Sequence, residues 1–204
     1  MSNQFFGSSE YGSRNRSEAE VVSDLYRTFL QRDPDPEGLE FWTAAIEKGF
    51  PLNVLLAGFQ FSPEFAQLIA TQLGTIGARA EGRLVLDFYR GYLNRLPEAG
   101  GLEYWLAQFR AGQCTTFEAF AAQAAAIAQQ FQDSSEYAGR NHNNLQFVGD
   151  LYSAFMRRSA EIDGLAFWTT QLNAGESRSA AQQAFLDSDE FRQRLAAAFT
   201  EGCF

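Results

Sequence analysis

Three tryptophans, Trp42, Trp105 and Trp168, stand 63 residues apart in this 204-residue chain, and each closes the same longer pattern. A fixed period of this kind marks an array of like units, so it constrains the fold before any other property does. The first copy reads Leu25-Tyr26-x-x-Phe29-x-x-Arg32, Asp35-x-x-Gly38-Leu39-x-Phe41-Trp42 and Gly49. The second reads Phe88-Tyr89-x-x-Tyr92-x-x-Arg95, Glu98, Gly101-Leu102-x-Tyr104-Trp105 and Gly112. The third reads Leu151-Tyr152-x-x-Phe155-x-x-Arg158, Glu161-x-x-Gly164-Leu165-x-Phe167-Trp168 and Gly175. A shorter motif follows each copy: Ser62-Pro63-Glu64-Phe65, Ser134-Ser135-Glu136-Tyr137 and Ser188-Asp189-Glu190-Phe191.

Copies one and three align without a gap at an offset of 126, whereas copy two holds nine extra residues between Gly112 and Ser134. At the same offset, Phe5-x-x-Ser8-Ser9-Glu10-Tyr11-x-x-Arg14-Asn15 matches Phe131-x-x-Ser134-Ser135-Glu136-Tyr137-x-x-Arg140-Asn141. Residues 1–16 therefore read as the closing piece of a further repeat or as an N-terminal cap. The complete copies occupy 17–75, 79–142 and 143–204.

Within a copy the apolar period is helical. Val22, Leu25, Tyr26, Phe29 and Leu30 recur at the spacing of one helix face. Asp35 before Pro36 reads as an N-cap followed by a first-turn proline, whose missing amide costs nothing there. Gly49, Gly112 and Gly175 read as left-handed helix stops. Leu52, Leu55, Leu56 and Phe59 predict a third helix, and Ser62-Pro63-Glu64 the start of a fourth. No strand alternation is sustained. The expected fold is all-α, a tandem array of about three four-helix repeats packed on one another. The Ala-rich stretch 118–130 is expected to be a closely packed helix rather than a lipid-facing one.

Composition narrows the function. With 25 acids against 16 bases the net charge is −9, which argues against nucleic acid and against an anionic membrane surface. Of the cationic side chains only Lys48 is a lysine, and Arg is the better fork donor. No apolar run is long enough to cross a membrane. The N-terminus lacks the charged and apolar regions of a Sec signal. Two cysteines, Cys114 and Cys203, and one histidine, His142, do not assemble a His/Cys zinc site. His142 sits in a polar turn, Arg140-Asn141-His142-Asn143-Asn144, and is expected to be solvated. No cofactor motif and no catalytic constellation is recognisable, so the chain is not expected to be an enzyme.

The strongest repeated polar signal is an Arg with an acid three residues on: Arg32 with Asp35, Arg95 with Glu98, Arg158 with Glu161. A further Glu recurs at 64, 136 and 190. The Arg is expected to cap its helix end and fork onto a carboxylate, with an anion or sugar-acid site as the alternative. Asp33, Asp35 and Glu37 form a weak candidate calcium loop without the remaining ligands of a full one. Trp42, Trp105 and Trp168 are expected in the core. Their neighbours Phe41, Tyr104 and Phe167 cannot also point fully inward, so these three are candidate ligand-binding residues.

Taken together, these motifs make the chain resemble the bacterial repeat known as domain of unknown function 4214. The residues that carry the likeness are Tyr26, Arg32, Asp35, Gly38, Trp42 and Glu64 in copy one. Tyr89, Arg95, Gly101, Trp105 and Glu136 carry it in copy two, and Tyr152, Arg158, Gly164, Trp168 and Glu190 in copy three. Copies two and three depart by placing Glu98 and Glu161 where the pattern has Asp. The resemblance implies a bacterial helical module of secreted or surface proteins, with no catalytic residues. It implies an extracellular or cell-surface location without a recognisable Sec signal, while a cytoplasmic one stays open. The Ser-x-Glu-Tyr closure is distantly similar to the helical repeats of phycobilisome linkers, which implies a scaffold role. The expected function is a non-catalytic protein-interaction or scaffold module with a protein partner. The alternative is a carbohydrate-binding module that uses exposed aromatics on a glycan.

Overall fold

The computed structural model describes residues 5–73, 80–112 and 116–201, a set in which every regular element is helical. Cys114 and Cys203 lie outside the described residues. The chain forms two compact units, Met1–Ile76 and Gly77–Phe204.

The first unit contains α1 (Ser9–Gly12), α2 (Glu18–Leu25) continuing into a π-helical turn (Tyr26–Leu30), α3 (Pro36–Glu47), α4 (Leu52–Gln60) and α5 (Pro63–Leu73). The starts follow from local chemistry. Ser17 and Glu20 form a capping box, and Asp35 accepts from the Gly38 amide ahead of Pro36. The Ser62 hydroxyl accepts from the Phe65 amide at 3.1 Å. Gly49 ends α3 at φ 82°, as its position predicts. The core joins Val22, Leu25, Tyr26 and Phe29 to Leu55, Leu56 and Phe59, and it also takes in Phe6 and Tyr11. The segment 5–12 thus contributes Phe6 and Tyr11 to this unit's core.

The second unit holds copies two and three. Its elements are α6 (Ala80–Leu93), α7 (Ala99–Gly112), α8 (Phe117–Gln132) and α9 (Ser135–Ala138). Next come α10 (Asn144–Leu151) with its π turn (Tyr152–Met156), α11 (Ile162–Asn173), α12 (Arg178–Leu186) and α13 (Asp189–Glu201). Asn143 and Gln146 repeat the capping box of Ser17 and Glu20 at the offset of 126. The Ala-rich stretch is α8, which buries Phe120, Ala124, Ile127, Ala128 and Phe131. Its small residues let it pack closely.

Copies two and three meet through equivalent residues. A Cβ on Gly91 would lie 2.5 Å from the Cβ of Ala154, which is 63 residues later, and 2.7 Å from its backbone nitrogen. The two backbones therefore cross in direct contact. Around that crossing Phe88 touches Phe155 at 5.6 Å and Phe191 at 6.4 Å between ring centroids. Beside it, the buried Asp87 pairs with Arg194, and Arg157 lies at 3.4 Å. Burial pushes the Asp87 carboxyl up, against the pull of its arginines.

Among the described residues, five that are not glycine lie in the left-handed region: Asn15, Gln31, Asn94, Asn141 and Arg157. They obey the repeat. Gln31, Asn94 and Arg157 each precede the signature Arg, with φ of 55°, 55° and 54°. The helix end is thus turned back sharply at that point in every copy.

Candidate functional site

The signature residues of each copy form one cluster. In the first copy Arg32 donates through Nε to Glu64 Oε1 at 2.6 Å and through Nη2 to Glu64 Oε2 at 2.9 Å. Its Nη1 reaches the Asp33 carbonyl and Asp35 Oδ2, both at 3.2 Å. The guanidinium lies 4.9 Å from the centre of the Tyr26 ring. In the second copy Arg95 forks onto Glu136 at 2.6 and 2.8 Å, takes the Leu96 carbonyl and Glu98, and covers Tyr89. In the third Arg158 forks onto Glu190 at 3.0 Å through both nitrogens and takes the Ser159 carbonyl and Glu161. It covers Tyr152.

The two polar signals of the sequence are therefore partners. The acid three residues on shares the Arg, while the recurring Glu receives the fork, 32 residues away in copies one and three and 41 in copy two. Every guanidinium nitrogen is engaged, so the cluster fastens the turn between the first two helices to the start of the fourth. Only the second N–H of Nη2 is left over, and a single donor cannot fork onto an anion or sugar acid. The signature Arg holds Glu64, Glu98 and Glu136 below the usual carboxylate range. Asp35 is lowered first by the Gly38 amide and then by Arg32. Desolvation pushes Glu161 up, but Arg158 and a backbone amide together bring it low.

The recurring glycine has a steric cause. A Cβ on Gly38, Gly101 or Gly164 would lie 2.1, 2.4 or 2.2 Å from the hydroxyl of Tyr26, Tyr89 or Tyr152. Burial raises each of these tyrosines, and the Trp42 and Trp105 indoles donate to Tyr26 and Tyr89. Two of the candidate calcium-loop carboxylates have other occupations. Asp33 accepts from Arg27 at 2.7 Å, and Asp35 caps α3. Among the described residues no three His, Cys, Asp or Glu side chains gather as a metal site.

The tryptophans are half-buried rather than fully enclosed. Trp42 lies against Phe59, Trp105 against Phe131 and Trp168 against Phe185. Their neighbours project outward: Phe41, Tyr104 and Phe167 are 59, 52 and 54% exposed. Each stands edge-on to its Trp, at centroid distances of 5.0, 4.9 and 5.2 Å.

His142 departs from the solvated position expected of it. Its Nδ1 meets Asp150 Oδ2 at 2.6 Å, and the same oxygen accepts from the Tyr137 hydroxyl at 2.9 Å. The turn composition had pointed to solvent. The cause lies in α10, which presents a buried carboxylate back to the turn that precedes it.

The fold and the repeated cluster define an all-α repeat protein with a shared Arg-Glu-Tyr-Trp fastening. The chain belongs to the family described as Domain of unknown function (DUF4214), whose model matches residues 2–69 and 128–195. Each matched stretch begins ahead of the short Ser-Ser-Glu-Tyr helix, α1 or α9, and ends within the last helix of the copy that follows, α5 or α13. Residues 70–127, with the signature residues Tyr89, Arg95 and Trp105, lie between the two matches. Neither the curated proteins nor the solved structures yield a match. Among the described residues no helix is long and apolar enough to cross a membrane.

Proposed function

We propose that the chain is a non-catalytic interaction module that binds a protein partner through a recurring surface aromatic. The supporting observation is the exposure of Phe41, Tyr104 and Phe167 at one position of every copy. The other signature residues are accounted for by the fold, since Arg, Glu, Tyr, Gly and Trp fasten helices together. Beyond its edge-on contact with the Trp the outward ring is exposed, and a large aromatic side chain presented at the surface is a typical anchor for a partner. The family resemblance supports a secreted or surface-associated setting in a bacterium.

The test compares the wild-type chain with a Phe41→Ser, Tyr104→Ser, Phe167→Ser triple variant, both immobilised and exposed to surface proteins of the native bacterium. A protein retained by the wild type and lost by the variant, at equal melting temperature, is the expected result. Equal retention by both would sink the aromatic anchor. A glycan array run on the same pair addresses the second reading, in which the free ring faces stack on sugars. Binding there that is lost in the variant would favour the glycan over the protein.

A further inference from the structure

The second unit contains a cavity of about 430 Å³ lined by Gln132, Asp133, Tyr137, Asn141, His142 and Arg178. Its volume lies in the range of small-molecule sites. Its polarity is not a requirement of the fold, as the first copy shows. At the offset of 126, Gln132, Asp133, His142 and Arg178 correspond to Phe6, Gly7, Arg16 and Leu52. Phe6 is buried in the first unit's core and Leu52 packs against it. The corresponding carboxylate, Asp24, is served by Arg16 at 3.2 Å and by Tyr11 at 2.9 Å, as Asp150 is by His142 and Tyr137. The first copy thus meets the same structural demand with hydrocarbon at Phe6 and Leu52, where the second unit has Gln132 and Arg178.

We propose that this cavity binds a small carboxylate that also carries a hydrogen-bond donor, an amino acid or a hydroxy acid. One part of the wall suits the carboxylate. The Arg178 guanidinium is held 4.8 Å from the centre of the Phe147 ring. Its Nε and Nη2 bond to Asn144 Oδ1 at 3.3 and 3.2 Å, and Nη2 also donates to the His142 carbonyl at 2.5 Å. Those bonds fix the fork and leave Nη1 for the ligand. His142 is fixed likewise, because the Asp150 bond at Nδ1 leaves Nε2 as its remaining polar atom.

Other wall groups suit a donor. Gln132 gives its amide nitrogen to the Ser179 hydroxyl at 3.1 Å, which orients the amide, and its Oε1 is buried without a partner. A buried acceptor left unmatched is unfavourable, and a small turn of the Gln132 amide toward the cavity would let an ammonium or hydroxyl satisfy it. Asp133 adds a carboxylate, with Oδ1 engaged by Gln129 at 2.9 Å.

The experiment titrates the full chain with glycine, L-serine and L-lactate, followed by ¹H–¹⁵N correlation spectra. Acetate and ethylammonium serve as half-ligands. The expected result is a saturable shift of resonances from the cavity residues with at least one whole ligand, the half-ligands binding about tenfold more weakly. His142→Arg installs the first copy's residue, which still serves the buried carboxylate, and Asp133→Asn alters an exposed side chain. Both should keep the wild-type melting temperature and weaken binding by about tenfold or more. No saturable shift with any whole ligand, acetate binding as tightly as the whole ligands, or undiminished binding by both variants would overturn the proposal.

Discussion

A guanidinium that forks onto one carboxylate, shares a second, caps a carbonyl and covers a tyrosine face is held by more than a surface ion pair is. Arg158 has part-buried bonds to Glu190, so its loss should be the most visible. Arg158→Ala is expected to cost about 1–2 kcal/mol in urea unfolding, and Arg158→Lys to recover only part, since an ammonium cannot fork. The same clusters set a pH dependence. Asp35, Glu64, Glu98, Glu136 and Glu161 are all lowered in the folded chain. Their contribution is complete above the ordinary values of 3.8 for Asp and 4.5 for Glu, and it is lost as pH falls through the lower folded values. Asp87 is raised and runs the other way, against these five and Glu20, which is also lowered. The melting midpoint should therefore fall steadily from about pH 5 to about pH 3. A flat profile would contradict the fork as a stabilising device. Both partners of the fork were visible in the sequence as separate recurrences. Their pairing was not, because a separation of 32 or 41 residues carries no local signal. The reach of His142 onto Asp150 was hidden by the polarity of its turn.

At the scale of the elements, the helix count and the caps follow from sequence because each rests on a local rule. Asp35 before Pro36, Ser62 before Pro63, and Gly49 and Gly175 at left-handed stops all fall where those rules put them. The π-helical turns and the left-handed Gln31, Asn94 and Arg157 had no such sign, since none of these residues is glycine. An L side chain there costs about 1–2 kcal/mol relative to the right-handed form. Gln31→Gly is therefore expected to raise stability by about 0.5 kcal/mol, net of the Gln72 amide bond it forfeits, as read from a thermal melt. The crossing of α6 with the second π turn behaves oppositely. Gly91→Ala would place a methyl 2.7 Å from the Ala154 backbone nitrogen, and backbone yields less readily than a flexible side chain. A loss of about 1–3 kcal/mol is expected. In the first copy the same position is Thr28, which is exposed, so Thr28→Ala should be close to neutral in the same assay.

The molecule as a whole is built from a motif that recurs three times yet is completed in two ways. In the first unit, residues 5–12 complete the single copy. Phe6 and Tyr11 join its core, and Tyr11 serves Asp24. In the second unit, copy three receives the same service from α9, the end of copy two, through Tyr137 and Asp150. Copy two has no preceding short helix of its own among the described residues. Its Asp87 is met instead by Arg194 from α13, and its Phe88 by Phe155 and Phe191. The repeat spacing alone does not convey this difference, because three equal periods suggest three equal units. The dependence is mutual and can be measured on fragments. Residues 1–76 are expected to melt cooperatively when expressed alone, and residues 77–204 likewise. Residues 77–142 should not, because removing copy three strips the buried carboxylate of its arginine and exposes the faces of Phe88 and Tyr92. Circular dichroism melts of the three fragments decide it. A cooperative transition from 77–142 would show that copy two completes itself without its successor.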